Sequence, residues 1–149
     1  LGYLCDAFLL RRVRRLDLRG RQHLQYSEKY YAGDLGLRQG LLGAGNANIA
    51  GIVENTVYLE LYRRGWQVSV GVWGDREINF VAQRADARRY YQVCAAMDSQ
   101  STVDREFSAL VSIDDQWPKS VISLAAAPMS GRNGIPVVRL GDFLLDPTI

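Results

Sequence analysis

From Ile49 onward, apolar residues recur every four positions. Ile49, Val53, Val57 and Leu61 fall on one face and Ile52 broadens it, which predicts an amphipathic helix over 49–64. Arg63 and Arg64 stand in its last turn, where the helix dipole favours cations, and Gly65 ends it. The period then drops to two. Val68, Val70 and Val72 alternate along a strand at 66–73, and Gly74-Asp75 supplies a tight turn. Ile78, Phe80 and Ala82 then alternate with polar Glu77 and Asn79 along a strand at 77–83. A third strand, 89–97, carries Tyr91, Val93 and Ala95 on one face with Gln92 and Cys94 on the other. Helical spacing returns at 102–115 through Val103, Phe107, Leu110 and Val111, with Asp104 and Glu106 suited to the N-terminal turn. Pro118 marks its exit, 120–125 reads as a buried strand, and a Gly/Pro/Asn loop spans 128–134. A short strand at 135–140 and a turn of helix at 141–145 close the chain.

The first 45 residues are patterned differently. Residues 3–10 read as the end of a helix that runs into an Arg-rich strand with apolar Val13, Leu16 and Leu18, turning at Gly20. A tyrosine-rich strand follows at 29–33, and Asp34 can cap a short helix over 35–42 closed by Gly43 and Gly45. This looks like the last helix and wing of a winged-helix unit. The Gly/Asn/Ala stretch at 43–48 is the natural boundary, giving a partial winged-helix-like segment at 1–45 and an α/β domain at 46–149. In the latter, a three-stranded meander and a helical crossover imply a mixed sheet with helices on its faces.

Composition narrows the function classes. The chain has 149 residues, 48% hydrophobic and 23% charged, which is globular rather than disordered. No apolar run approaches the roughly 20 residues needed to span a bilayer, and no leader pattern opens the chain, so no membrane partner is expected. The chain begins at Leu1, so a longer parent protein is expected. Two cysteines, Cys5 and Cys94, suit a reducing, cytoplasmic setting better than a disulfide framework or a zinc site. A single histidine, His23, excludes a multi-histidine metal centre. The net charge is only +2, yet residues 1–30 hold seven cations against three carboxylates. Arg11, Arg12, Arg14, Arg15, Arg19 and Arg21 thus form a candidate nucleic-acid-binding wing, against the alternative of a solvated strand face. Trp66, Trp73, Tyr90 and Tyr91 could stack bases, although core packing explains them more simply.

Three stretches in order carry a resemblance: Glu54-Asn55-Thr56-Val57-Tyr58-Leu59-Glu60-Leu61 on the helix, Glu77-Ile78-Asn79-Phe80-Val81 on the second strand, and Tyr91-Gln92-Val93-Cys94 on the third. Residues 9–17, 29–37 and 142–145 extend it to nearly the whole chain. The sequence resembles the C-terminal domain of a group of prokaryotic AAA+ ATPases, with the helix–three strands–helix–strand order of PD-(D/E)xK nucleases. The resemblance implies a restriction-endonuclease-like core and an upstream AAA+ ATPase domain in the same chain. ATP would bind only there, because these residues contain no Gly-x-x-x-x-Gly-Lys-Ser/Thr phosphate loop.

In that family a helix carboxylate, a strand Asp and a (D/E/Q)-x-K pair gather a hard divalent ion through oxygen ligands, and lysine stabilises developing charge. Glu54 matches the helix carboxylate and Gln92 a tolerated first member of the pair. Asn79 stands where Asp is wanted, and Cys94 where Lys belongs. A neutral thiol cannot supply the ammonium's charge and three donors. Strand alternation puts Glu77 on the face of Asn79, a second carboxylate displaced by about 6–7 Å. Glu54, Glu77, Asn79 and Gln92 therefore describe at most a weak, hydrated Mg²⁺ or Mn²⁺ site. The expected function is a non-catalytic interaction module that contacts nucleic acid or a protein partner, with Glu54, Asn79, Gln92 and Cys94 as a vestigial site. The rivals are a weak nuclease built on Glu54, Glu77 and Gln92 with a relocated cation, and DNA binding through the Arg-rich wing.

Overall fold

The computed structural model describes residues 1–25, 27–43, 48–125 and 129–149. Helix α1 (Gly2–Asp6) leads into strands β1 (Leu10–Val13) and β2 (Arg15–Asp17), followed by β3 (Gln22–His23) and β4 (Lys29–Ala32). Helix α2 (Leu35–Leu42) starts where the Asp34 side chain accepts from the Leu37 N–H at 2.6 Å, and ends at Gly43, whose φ is +76°. Most of the stretch expected as a linker, 44–47, lies outside the described residues. Helix α3 (Ile49–Arg63) opens with Asn48 accepting from the Gly51 N–H at 3.0 Å. The meander follows as β5 (Gln67–Trp73), β6 (Arg76–Arg84) and β7 (Ala87–Cys94), with Gly74 at φ +67° in the two-residue turn that joins the first pair. Helix α4 (Gln100–Val111), β8 (Lys119–Ser123), β9 (Gly131–Arg132), β10 (Ile135–Arg139) and α5 (Leu140–Leu145) complete the order. Part of the loop expected at 128–134 contains β9, and residue 128 lies outside the described residues.

Among the described residues the strands form an eight-stranded mixed sheet, β3-β2-β5-β6-β7-β8-β10-β9, and a two-stranded ribbon, β1-β4. The meander is antiparallel, and α4 returns the chain so that β8 runs parallel to β7. The mixed sheet with helices on its faces is therefore as the pattern implied. Strands β2 and β3, from the segment expected as winged-helix-like, extend this same sheet. β2 pairs in parallel with β5, and Leu16 and Leu18 join the core under α4. The Arg-rich strand is broken at Arg14, so that β1 serves the ribbon and β2 the sheet.

The two faces carry separate cores. Val53, Val57, Tyr58 and Leu61 of α3 pack with Phe143 of α5 on Val70, Phe80, Ala82, Tyr91 and Ile122. Val103, Phe107 and Leu110 of α4 pack on Ile78, Val81, Tyr90, Cys94 and Val121. Ile49 and Val111, expected in the apolar stripes, are the exposed ends of their helices.

One expectation about faces fails. Ile78 turns to the α4 side whereas Phe80 and Ala82 turn to the α3 side. The cause is a β-bulge: Ser69 pairs with Val81 and Gly71 with Ile78, so Val70 alone faces both Asn79 and Phe80.

Candidate functional site

Asn79 sits at the β5–β6 bulge and one residue beyond the end of the β6–β7 ladder at Phe80 and Tyr91, where side-chain amides take over the pairing and repair the sheet. The Asn79 N–H donates to Gln92 Oε1 at 2.7 Å, and the Val93 N–H donates to Asn79 Oδ1 at 3.0 Å. Gln92 Nε2 donates in turn to Glu106 Oε2 at 3.1 Å. Glu106 is buried, and Arg105 holds its other oxygen at 2.7 Å from the surface. Glu77, Asn79, Gln92 and Glu106 line one cleft of about 510 Å³, with Arg76 and Arg105 also on its wall.

Glu54 belongs to a second cluster on the α3 side. The Asn55 amide clamps β4 to α3, accepting from Ala32 N–H at 2.8 Å and donating to Ala32 carbonyl oxygen at 2.9 Å. Strand alternation then turns both Lys29 and Tyr31 toward α3. Lys29 Nζ lies 3.1 Å from Glu54 Oε1 and 2.5 Å from Glu77 Oε1. The Tyr31 hydroxyl donates to Glu54 Oε1 at 2.5 Å, and Arg15 reaches Glu77 Oε2 at 2.5 Å. The two carboxylates are thus joined through one ammonium, with a phenol on the first and a guanidinium on the second.

The electrostatics follow from this wiring. Burial resists ionisation of Glu77, but hydrogen bonds from Lys29 and Arg15 prevail and hold its carboxyl below the ordinary value. Burial likewise works against charged Lys29, and Glu77 and Glu54 outweigh it, leaving the ammonium above its ordinary pKa. Burial, then the charge of Glu54, pushes the Tyr31 phenol far up. Cys94 is buried beneath α4, its thiol 3.8 Å from the Ile122 carbonyl oxygen, and burial pushes its pKa up as well.

Glu77, Asn79 and Gln92 are therefore brought together along one cleft, and Glu54 meets Glu77 through Lys29. Gln92 and Cys94 face α4, on the opposite side of the sheet from α3. Among the described residues, no group of three or more His, Cys, Asp or Glu side chains is gathered to hold a metal ion. Lys29, Tyr31 and Glu106 join the site although no motif position marks them. Lys29 sits in the quoted stretch 29–37, and its i,i+2 relation to Tyr31 was the available signal. Glu106 shares the helical face of Val103 and Leu110, so a carboxylate inside an apolar stripe was the signal there.

The six arginines of the candidate wing point in several directions. Arg11 lies 5.0 Å from the Phe8 ring and 4.7 Å from the Tyr62 ring, and Arg12 pairs with Glu28 at 3.8 Å. Arg15 is committed to Glu77 and Ser27, and Arg19 covers the Trp73 ring at 5.2 Å. Arg14 and Arg21 are exposed. Tyr90 and Tyr91 are core residues, and Trp66 lies against Arg84 and Arg89 at 5.0 and 5.7 Å.

No family model matches this chain, and no solved structure matches it. An uncharacterized protein of Haemophilus influenzae is 35% identical over 145 residues, or 97% of this chain. The chain spans 36% of that protein's length. Among the described residues, no helix is long and apolar enough to cross a membrane.

Proposed function

We propose that this chain is a non-catalytic, nuclease-like interaction module of a larger protein, an AAA+ ATPase on the resemblance of its motifs. The observation that carries the reading is that each oxygen-bearing group at the four metal-type positions already has an internal partner. Glu54 and Glu77 share Lys29, while the Asn79 and Gln92 carbonyl oxygens accept backbone N–H groups. A hard divalent ion needs several free, preferably anionic oxygens, and here it would have to displace an ammonium and break a sheet repair. The Haemophilus influenzae relative, of which this chain spans 36%, supports a longer parent protein.

The test is cleavage of plasmid, single-stranded DNA and RNA with Mg²⁺ or Mn²⁺, wild type beside Glu54→Ala. No cleavage above the variant's background is expected. Metal-dependent cleavage lost in Glu54→Ala would sink the reading.

One observation favours the rival weak nuclease. Lys29 lies beside two carboxylates, which is where a relocated catalytic cation would stand. On that reading Lys29→Met abolishes the same cleavage.

A further inference from the structure

Away from the Glu77 cluster, a second cleft of about 620 Å³ opens on the α4 side of the sheet. It lies between the turn joining β2 to β3 and the connection from α4 to β8, and its volume falls within the roughly 300–1,000 Å³ of small-molecule sites. Two indoles, Trp73 and Trp117, line it over an apolar base of Leu18 and Ile113. Trp117 is 40% exposed on its loop, so its ring is offered to solvent rather than spent on the core. Tyr90 is fixed beside them: its hydroxyl donates to Asp115 Oδ2 at 2.6 Å, and Lys119 neutralises that carboxylate at 2.9 Å.

Three guanidinium groups reach the same cleft, those of Arg19, Arg21 and Arg88. Arg12 and Arg15 are paired with Glu28 and Glu77, whereas among the described residues these three form no ion pair. Arg19 lies 5.2 Å from the Trp73 ring, which keeps its charge beside an aromatic face. A smaller cleft of about 240 Å³ shares Arg21 and Arg88 and continues toward His23 on β3. Apolar walls beside guanidinium groups that form no ion pair among the described residues, Arg88 donating only to the neutral Tyr90 hydroxyl at 3.3 Å, match a ligand with a planar face and a nearby anionic group.

We propose that this cleft holds a nucleotide unit, its base against the exposed Trp117 ring and its phosphate on Arg21 and Arg88. Asp86 and Asp114, also on the lining, suit the amino groups of a base or the hydroxyls of a ribose and disfavour a bare polyanion. The proposal deepens the interaction-module reading, and rests on it for the class of partner, but uses none of the Glu77 site. Metal-dependent cleavage would therefore sink that reading and leave this cleft standing.

Fluorescence anisotropy with a labelled single-stranded RNA oligoadenylate, which carries both amino groups and ribose hydroxyls, tests it, beside a duplex and with AMP as competitor, each variant being checked for folding by circular dichroism. The strand binds wild type more tightly than the duplex does. Trp117→Ala weakens it roughly tenfold and Trp117→Phe restores most of the loss. Arg88→Gln and Arg21→Asn each reduce the salt slope by about one, the asparagine being chosen because Arg21 has φ +52°. Competition by AMP assigns the site to free nucleotides, and strand binding without such competition assigns it to a nucleic-acid strand. Wild-type affinity in Trp117→Ala, a duplex bound as tightly as the strand, or no binding of either strand or AMP overturns the proposal. So does binding lost in Arg12→Ala and Arg14→Ala but kept in Trp117→Ala, which moves the contact to β1.

Discussion

The backbone N–H of Asn79 donates to the side-chain oxygen of Gln92 at 2.7 Å, just beyond Phe80 and Tyr91, where the ladder between their strands ends. These are two positions at which a nuclease of this pattern would present metal ligands. Here the amides complete the sheet instead. Removing the Gln92 side chain strands the Asn79 N–H and one oxygen of buried Glu106. Gln92→Ala is therefore expected to cost about 1–3 kcal/mol in urea denaturation, because unpaired buried polar groups pay their full desolvation. A cost near zero would mean that water replaces the amide freely.

Lys29 makes the opposite kind of contribution, through charge. Glu77 has a depressed pKa, so its stabilisation is complete above the ordinary carboxylate value and is lost as pH falls through the folded value. Lys29 has a raised pKa, so its share is complete below 10.5 and is lost only as alkaline pH passes the folded value. Lys29→Met is expected to lower the melting temperature at neutral pH and to flatten its acid limb, since Glu77 then loses one of its two cations. Parallel acid limbs in wild type and variant would contradict this wiring.

Arg64 fastens the end of the fold. It is almost fully buried, lies 2.7 Å from Glu60, donates to the carbonyls of Phe143 and Ile149, and covers the Phe143 ring at 4.4 Å. Arg64→Ala leaves Glu60 to the exposed Arg63 and unties α5. The expected loss is about 3 kcal/mol, with amide exchange accelerating first in 140–149. Arg64→Lys is expected to recover only part of it, because an ammonium cannot make the same fork of contacts.

Thiol chemistry separates the two cysteines. Cys94 is buried with a raised pKa, whereas Cys5 is half-buried near the chain start. Under native conditions a thiol reagent is expected to label Cys5 alone, and denaturant should expose the second site. Fast native labelling of Cys94 would contradict an inert thiol.

What the sequence made legible was local. The i,i+4 stripe of α3, the Asp34 cap and the Gly74-Asp75 turn each depend on neighbours within a few residues, and the elements appear where those signals stand. The parallel pairing of β2 with β5 has no such signature, since Arg15 meets Val70 only after the intervening chain has folded. The bulge at Asn79 and Phe80 was hidden for a related reason. Alternation alone puts Ile78 with Phe80, and only the pairing with Ser69 and Gly71 reveals the extra residue. The site was half legible. Glu54, Glu77, Asn79 and Gln92 stand at motif positions, but no local pattern shows that Lys29 reaches both carboxylates from β4 or that Glu106 meets Gln92 from α4.

The most direct test of an inert, internally satisfied site is Mn²⁺ binding, read by electron paramagnetic resonance on wild type, Glu54→Ala and Lys29→Met. The expected result is no saturable binding below about 1 mM in wild type, with Glu54→Ala indistinguishable from it. Sub-millimolar Mn²⁺ binding in wild type that disappears in Glu54→Ala would contradict the account, because the carboxylates would then be free to leave Lys29 for a metal.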